Sequence, residues 1–166
     1  MAHITIGNSP AQTVGDLPSI GKKAPDFCLT RTDLSDTSLA EFSGSRIVLN
    51  IFPSIDTPVC SASVRRFNTE AATLENTQVL CISADLPFAM GRFCAAEGIE
   101  GVTPLSQCRD KTFGEAYGVT IAQGPLAGLF ARAVVVLDEN HTVLYASFSG
   151  DLKEEPDYTE ALAALK

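Results

Sequence analysis

Hydrophobic and polar positions along the chain follow two rhythms, and the switches between them predict its elements. Residues 46–52, Arg-Ile-Val-Leu-Asn-Ile-Phe, are almost continuous hydrophobe, the pattern of a strand buried on both faces. From residue 58 the period becomes helical. Cys60, Val64, Phe67, Ala71 and Leu74 form one stripe of a helix over 58–74, with Pro58 suited to the first helical position and Thr57 to the N-cap. Residues 78–84 read as another buried strand. Residues 86–97 read as a second helix, with Leu86, Met90 and Phe93 as its apolar stripe and Gly98 as its stop. A strand over 102–107 and a short helix over 110–117 follow. Residues 119–130, rich in Gly and Ala, read as a loop. A hairpin over 133–148 turns at Asp138-Glu139-Asn140-His141, and Pro156 and Asp157 open a last helix over 156–165. Upstream, residues 3–14 read as a small hairpin, 15–25 as a loop, 26–30 as a strand and 37–42 as a single helical turn closed by Gly44. Strands alternating with helices predict an α/β fold: a central mixed β-sheet flanked by helices, parallel at its centre, with an antiparallel pair and an N-terminal β-hairpin. Neither a repeat nor a linker divides the chain, so residues 1–166 are expected to form one domain.

One of the switches also carries chemistry. The strand ends at Pro53, a short loop follows, and Cys60 falls in the first turn of the next helix. There, backbone N–H groups lacking intrahelical partners and the positive end of the helix dipole favour thiolate over thiol, and the thiolate is the nucleophile. Thr57 offers a hydroxyl to the same pocket. A free thiol is only ~3% ionised at neutral pH. Making the thiolate dominant takes about 3.4 kcal/mol, whereas a helix terminus supplies ~0.3–1 and at most ~2 kcal/mol. The remainder requires direct hydrogen bonds or a cation, so an arginine is expected beside Cys60 from a distant segment. Position on the apolar stripe alone would also suit an inert core thiol, but the helix-start location and the Pro-x-x-x-Thr-x-x-Cys spacing favour the reactive one.

Composition narrows the partners. The formal net charge is −8, and the longest basic clusters are Lys22-Lys23 and Arg65-Arg66, which argues against nucleic acid or an anionic membrane surface. No run approaches the length of a membrane span and no secretory leader is visible, so a cytoplasmic, thiol-reducing home is expected. The five cysteines, Cys28, Cys60, Cys81, Cys94 and Cys108, are an odd number, lack a Cys-x-x-Cys and lack zinc-ligand spacing. No metal site is expected.

The octet Pro53-Ser54-Ile55-Asp56-Thr57-Pro58-Val59-Cys60 resembles the active-site signature of the peroxiredoxins, and residues 21–29 resemble that family's Gly-x-x-Ala-Pro-x-Phe-x-Leu opening. Residues 50–57, 81–89, 92–94 and 128–133, together with the N-terminal hairpin and the Glu155-Pro156-Asp157-Tyr158 tail, are similar to its bacterial thiol peroxidase branch. The resemblance implies a thioredoxin-like three-layer fold and a thiol-dependent peroxidase without metal, haem or flavin. It implies that Cys60 attacks a hydroperoxide and becomes a sulfenic acid, and that Thr57 hydrogen-bonds the thiolate and the peroxide. Pro53 would shield the sulfur, and Arg132 would supply the required cation. Cys94 would resolve the sulfenic acid as an intramolecular disulfide, with local unwinding of both helices, and thioredoxin would recycle it. A homodimer is the expected assembly. The wall near Cys60, including Phe52 and Ile55, is expected to admit organic hydroperoxides beside hydrogen peroxide. Cys28, Cys81 and Cys108, in or beside buried strands, are expected to be small core residues, although Cys28 and Cys108 leave a choice of resolving thiol.

Overall fold

The computed structural model describes residues 1–166. The near-continuous apolar runs become the middle of the sheet. β5 (Arg46–Ile51) lies parallel to β6 (Thr77–Ser83), with Val48 opposite Val79 and Leu49 opposite Leu80, and β6 lies parallel to β7 (Thr103–Ser106). On the other side of β5 runs β8 (Ala133–Leu137), antiparallel, and then β9 (Val143–Phe148). β3 (Cys28–Arg31) and β4 (Asp36–Ser38) complete a seven-stranded mixed sheet in the order β4-β3-β7-β6-β5-β8-β9. A separate hairpin joins β1 (His3–Ile6) to β2 (Ser9–Gln12).

Because strand residues alternate between faces, β5 feeds two cores. Ile47, Leu49 and Ile51 pack with Phe27, Leu29, Phe113 and Phe130 on one face. Val48 joins Val79, Cys81, Val134 and Val136 on the other. α3 (Thr112–Ala116) supplies Phe113 to the first layer. Against the second lie α1 (Pro58–Ala71) and α4 (Tyr158–Ala163), with α2 (Pro87–Glu97) beside them. The predicted stripe of α1 is the buried one: Cys60, Val64 and Phe67 are fully inside, and Ala71 and Leu74 pack at its edge. Phe67 also meets the Tyr158 ring edge-on at 5.2 Å. Phe67→Ala is therefore expected to lower unfolding stability by about 3–5 kcal/mol, read as a shift of the urea midpoint.

Two local expectations need correction. Residues 36–38 are a strand, and only Leu39–Phe42 is a helical turn, of the 3-10 kind. The segment pairs with β3 although its polar Asp-Thr-Ser sequence has little strand signal, because Thr37 is buried and its hydroxyl donates to Glu41. In α2, Leu86 is the N-cap and 59% exposed, so Met90 carries the buried contact with Phe93 half-buried. Gly98 ends the helix with φ +65°, a left-handed conformation suited to glycine. No helix is long and apolar enough to cross a membrane.

Candidate active site

The loop that follows β5 is held from the neighbouring strand. Phe52 N–H still bonds to the Ile82 carbonyl. Beyond it, the Asp85 carboxylate at the end of β6 accepts from Ser54 Oγ at 2.8 Å, Ile55 N–H at 2.7 Å and Ser83 Oγ at 2.6 Å. Asp85 thus fixes the turn between Pro53 and Thr57, and α2 begins two residues later. In the sequence Asp85 has no role beyond its place in the 81–89 stretch that resembles the thiol peroxidase branch, because its loop partners Ser54 and Ile55 lie 31 and 30 residues away.

α1 then starts as predicted. Thr57 is the N-cap, Pro58 occupies the first position and Cys60 the third, completely buried. The Thr57 hydroxyl does not cap the helix; it donates to the Ser54 carbonyl at 3.0 Å. That leaves the first-turn N–H groups of Val59 and Cys60 uncapped by it. Pro53 is buried beside the sulfur's loop and Thr57 is exposed.

The distant cation is present. Pairing of Ile51 with Ala133 brings the residue before β8 to the end of β5, where the cysteine loop springs from the sheet. That residue is Arg132, only 3% exposed. Its Nη2 donates to Cys60 Sγ at 3.3 Å and to the Leu152 carbonyl at 3.0 Å, and its Nε donates to the same carbonyl at 3.2 Å. Its Nη1 is buried without any partner, a donor awaiting an acceptor. Arg132 forms the floor of a cleft of about 430 Å³, lined also by Pro53, Thr57, Val59, Leu126, Leu129 and Leu152. Ile6 of the hairpin and Lys153 stand at the same cleft. Phe52 and Ile55 do not line it: both are buried in the sheet–helix core. The apolar walls come instead from the 119–130 loop, the hairpin and the segment before α4, which no periodicity linked to Cys60.

Cys94 lies in the second half of α2, near its C-terminal end, half-buried against the core that contains Cys60. Burial pushes its thiol up from the ordinary value. The two cysteine-bearing helices are joined side to side. Arg65 of α1 forms a two-pronged bond with Glu97 of α2, at 3.0 Å for each prong, and lies over the Phe93 ring. Arg92 of α2 reaches Asp56 in the loop at 3.3 Å. All five cysteines are free thiols. Cys81 is a core residue as expected, pushed up to about 12 by burial. Cys28 and Cys108 are not: both are exposed, Cys28 at the first position of β3 and Cys108 on the bend after β7.

This geometry can be set beside known proteins. A family model described as redoxin matches residues 19–162. The chain belongs to the redoxin family. Within it, this redoxin is 55% identical over 159 residues to the thiol peroxidase of Corynebacterium glutamicum, covering 96% of this chain and 95% of that one. It is 53% identical over 165 residues to the thiol peroxidase of Mycobacterium bovis, covering 99% of each. A solved peroxiredoxin-like protein from Aquifex aeolicus superposes with a TM-score of 0.93 at 33% identity, over 99% of this chain and 96% of that one. The resemblance to the bacterial thiol peroxidase branch and the thioredoxin-like fold implied by it are both borne out.

Proposed function

We propose that this redoxin is a thiol peroxidase that reduces hydrogen peroxide and organic hydroperoxides through Cys60. The observation that carries the reading is Arg132, a buried guanidinium with one donor on the Cys60 sulfur and another without a partner at the floor of an apolar cleft. The Cys60 thiolate attacks the terminal oxygen of the hydroperoxide. The O–O bond breaks, sulfur is oxidised to sulfenic acid, and the departing oxygen takes up a proton to leave as alcohol or water. Charge moves from sulfur to oxygen during this step. The Nη2 contact steadies the first anion and Nη1 meets the second, an arrangement that favours the transition state. Thr57 turns its hydroxyl from Ser54 to the peroxide, and Pro53 keeps bulk water from the sulfur.

In the second step the Cys94 thiol displaces water from the sulfenic acid and a Cys60–Cys94 disulfide forms. A disulfide needs its Cα atoms about 4.4–6.8 Å apart, so both helices unwind locally, α1 at its start and α2 near its end. The dithiol of thioredoxin then reduces the bridge, so that each turnover consumes one hydroperoxide and two thiol hydrogens. Residues 1–166 act as one unit, since the hairpin contributes Ile6 to the cleft. A thiol-reducing cytoplasm suits a cycle that starts from free cysteines. Leu86 and Phe88, 59% and 66% exposed at the start of α2, support pairing of two copies through this face, and light scattering should return a dimer.

The reading is tested by NADPH consumption in the presence of thioredoxin, its reductase and a panel of hydroperoxides. Wild type should sustain many turnovers. Cys94→Ser should consume one equivalent of peroxide per chain and then stop, with the sulfenic acid trapped by dimedone. Sustained thioredoxin-linked turnover in Cys94→Ser would assign resolution to another thiol.

A further inference from the structure

Arg132 is aimed by a carbonyl, not by a carboxylate. Two of its donors, Nε and Nη2, converge on the Leu152 oxygen, so the position of that oxygen sets where the guanidinium meets sulfur. Leu152 lies in the segment 149–153 between β9 and α4, which has no helix of its own. Ser149 N–H bonds to the Arg132 carbonyl at 3.0 Å, and Leu152 N–H bonds to the Thr5 carbonyl of β1 at 2.9 Å. Thr5 Oγ1 lies 3.0 Å from the Gly150 carbonyl, Leu152 packs with Ile4 and Ala11 of the hairpin, and one carboxylate ties the hairpin turn itself. Asp151 Oδ1 accepts from Gly7 N–H at 3.0 Å and Lys153 N–H at 2.8 Å. Its Oδ2 accepts from Thr5 Oγ1 at 2.7 Å and Asn8 N–H at 3.0 Å. Four donors fill the acceptor capacity of one carboxylate.

We propose that Asp151 is a positioning residue for Arg132: its carboxylate clamps the N-terminal hairpin to the segment 149–153, and the Leu152 carbonyl so fixed holds the guanidinium over Cys60. The proposal rests on the peroxidase reading of those two residues and adds the hairpin to the active site. The hairpin turn is shaped for the clamp. Gly7 and Asn8 have φ of +58° and +72°, and this left-handed pair points successive N–H groups at one anion, as backbone nests do. The amides of Asn8, Lys153 and Gly7, with the Thr5 hydroxyl, hold the carboxyl well below the usual carboxylate range. Without the clamp the hairpin and the segment keep the Leu152–Thr5 backbone bond, the Thr5 contact to the Gly150 carbonyl and the packing of Leu152 on Ile4, but none of these holds the turn at Gly7 and Asn8. The Leu152 oxygen then drifts, and Nη2 loses its angle to the sulfur before the fold is lost.

The test is a double-mutant cycle on the second-order rate of Cys60 oxidation by hydrogen peroxide, with Asp151→Ala and Arg132→Lys made singly and together. Asp151→Ala is expected to slow oxidation about tenfold, because small misplacements of a catalytic group are costly. In the Arg132→Lys background the same change should add no further loss. Exchange of the Arg132 Nε proton, followed by NMR, should speed up in Asp151→Ala, a readout that simple loosening of the hairpin would leave unmoved. Thr5→Val removes one donor of four, together with the hydroxyl's contact to the Gly150 carbonyl, and should cost about two- to threefold by the same route; it carries the cycle if Asp151→Ala does not fold. An Asp151→Ala rate within twofold of wild type, or an equal loss in both backgrounds, overturns the clamp. If Arg132→Lys itself keeps the wild-type rate, it is the role given to the Arg132 guanidinium in the peroxidase reading that fails.

Discussion

Cys60→Ser is expected to abolish hydroperoxide reduction, lowering kcat/KM by about ten-thousandfold or more, as loss of an essential nucleophile does. The exchange is nearly isosteric at a fully buried position, and a serine hydroxyl can still accept from Arg132, so the far-ultraviolet spectrum and unfolding midpoint should change little. What disappears is the chemistry. A serine hydroxyl does not ionise near neutrality and has no oxidation ladder from sulfenic acid to disulfide. None of the four remaining thiols has the Arg132 guanidinium on its sulfur, and three of them are pushed away from thiolate. Cys81 is sealed in the core and pushed up to about 12. Cys94 is pushed up by burial. Cys28 is raised first by desolvation and then by the acidic side chains of Asp36, Asp110 and Asp26. Retention of peroxidase activity in Cys60→Ser, measured by thioredoxin-linked NADPH consumption, would move the reaction to one of them.

Arg132→Met should slow oxidation of Cys60 by about a hundred- to a thousandfold, the usual cost of removing a preorganised donor from a developing oxyanion. Methionine keeps much of the length and the apolar stem but removes both the Nη2 contact with sulfur and the unpaired Nη1. The loss should be similar for hydrogen peroxide and for a bulky alkyl hydroperoxide, because the guanidinium addresses the sulfur and the departing oxygen and not the organic group. The substitution also leaves the buried Leu152 carbonyl without its two donors, a penalty of roughly 1–3 kcal/mol. Urea unfolding should therefore accompany the kinetics. A rate within threefold of wild type in a folded Arg132→Met protein would remove the guanidinium from the mechanism.

Much of this site was legible in the chain because its nucleophile lies on local structure. A buried strand, a proline, a turn and a helix start are all short-range patterns, and they placed Cys60 at the third helical position, where it is found. The need for an arginine followed from an energy shortfall, and the apolar strand after Arg132 pointed to partial burial. The register that joins Ile51 to Ala133 was needed to see why this arginine arrives. What remained hidden depends on contacts between loops. Asp85 and Asp151 look like ordinary turn residues until their partners, 30 and more than 140 positions away, are brought to them. Cys28 and Cys108 failed as core residues because both stand at strand ends, Cys28 at the first position of β3 and Cys108 on the bend past β7, whereas Thr30, on the same face as Cys28, is buried. Phe52 and Ile55 are apolar neighbours of the reactive loop, yet they turn inward. Apolar character predicted their burial and gave no direction.

Peptide mapping by mass spectrometry after one equivalent of hydroperoxide tests the central claim most directly. Cys60 is predicted to be the first sulfur oxidised, recovered as a Cys60–Cys94 disulfide in wild type and as a dimedone-labelled Cys60 in Cys94→Ser, with Cys28, Cys81 and Cys108 unmodified. A first oxidation found on any other cysteine, with the Cys60 thiol intact, would contradict the account.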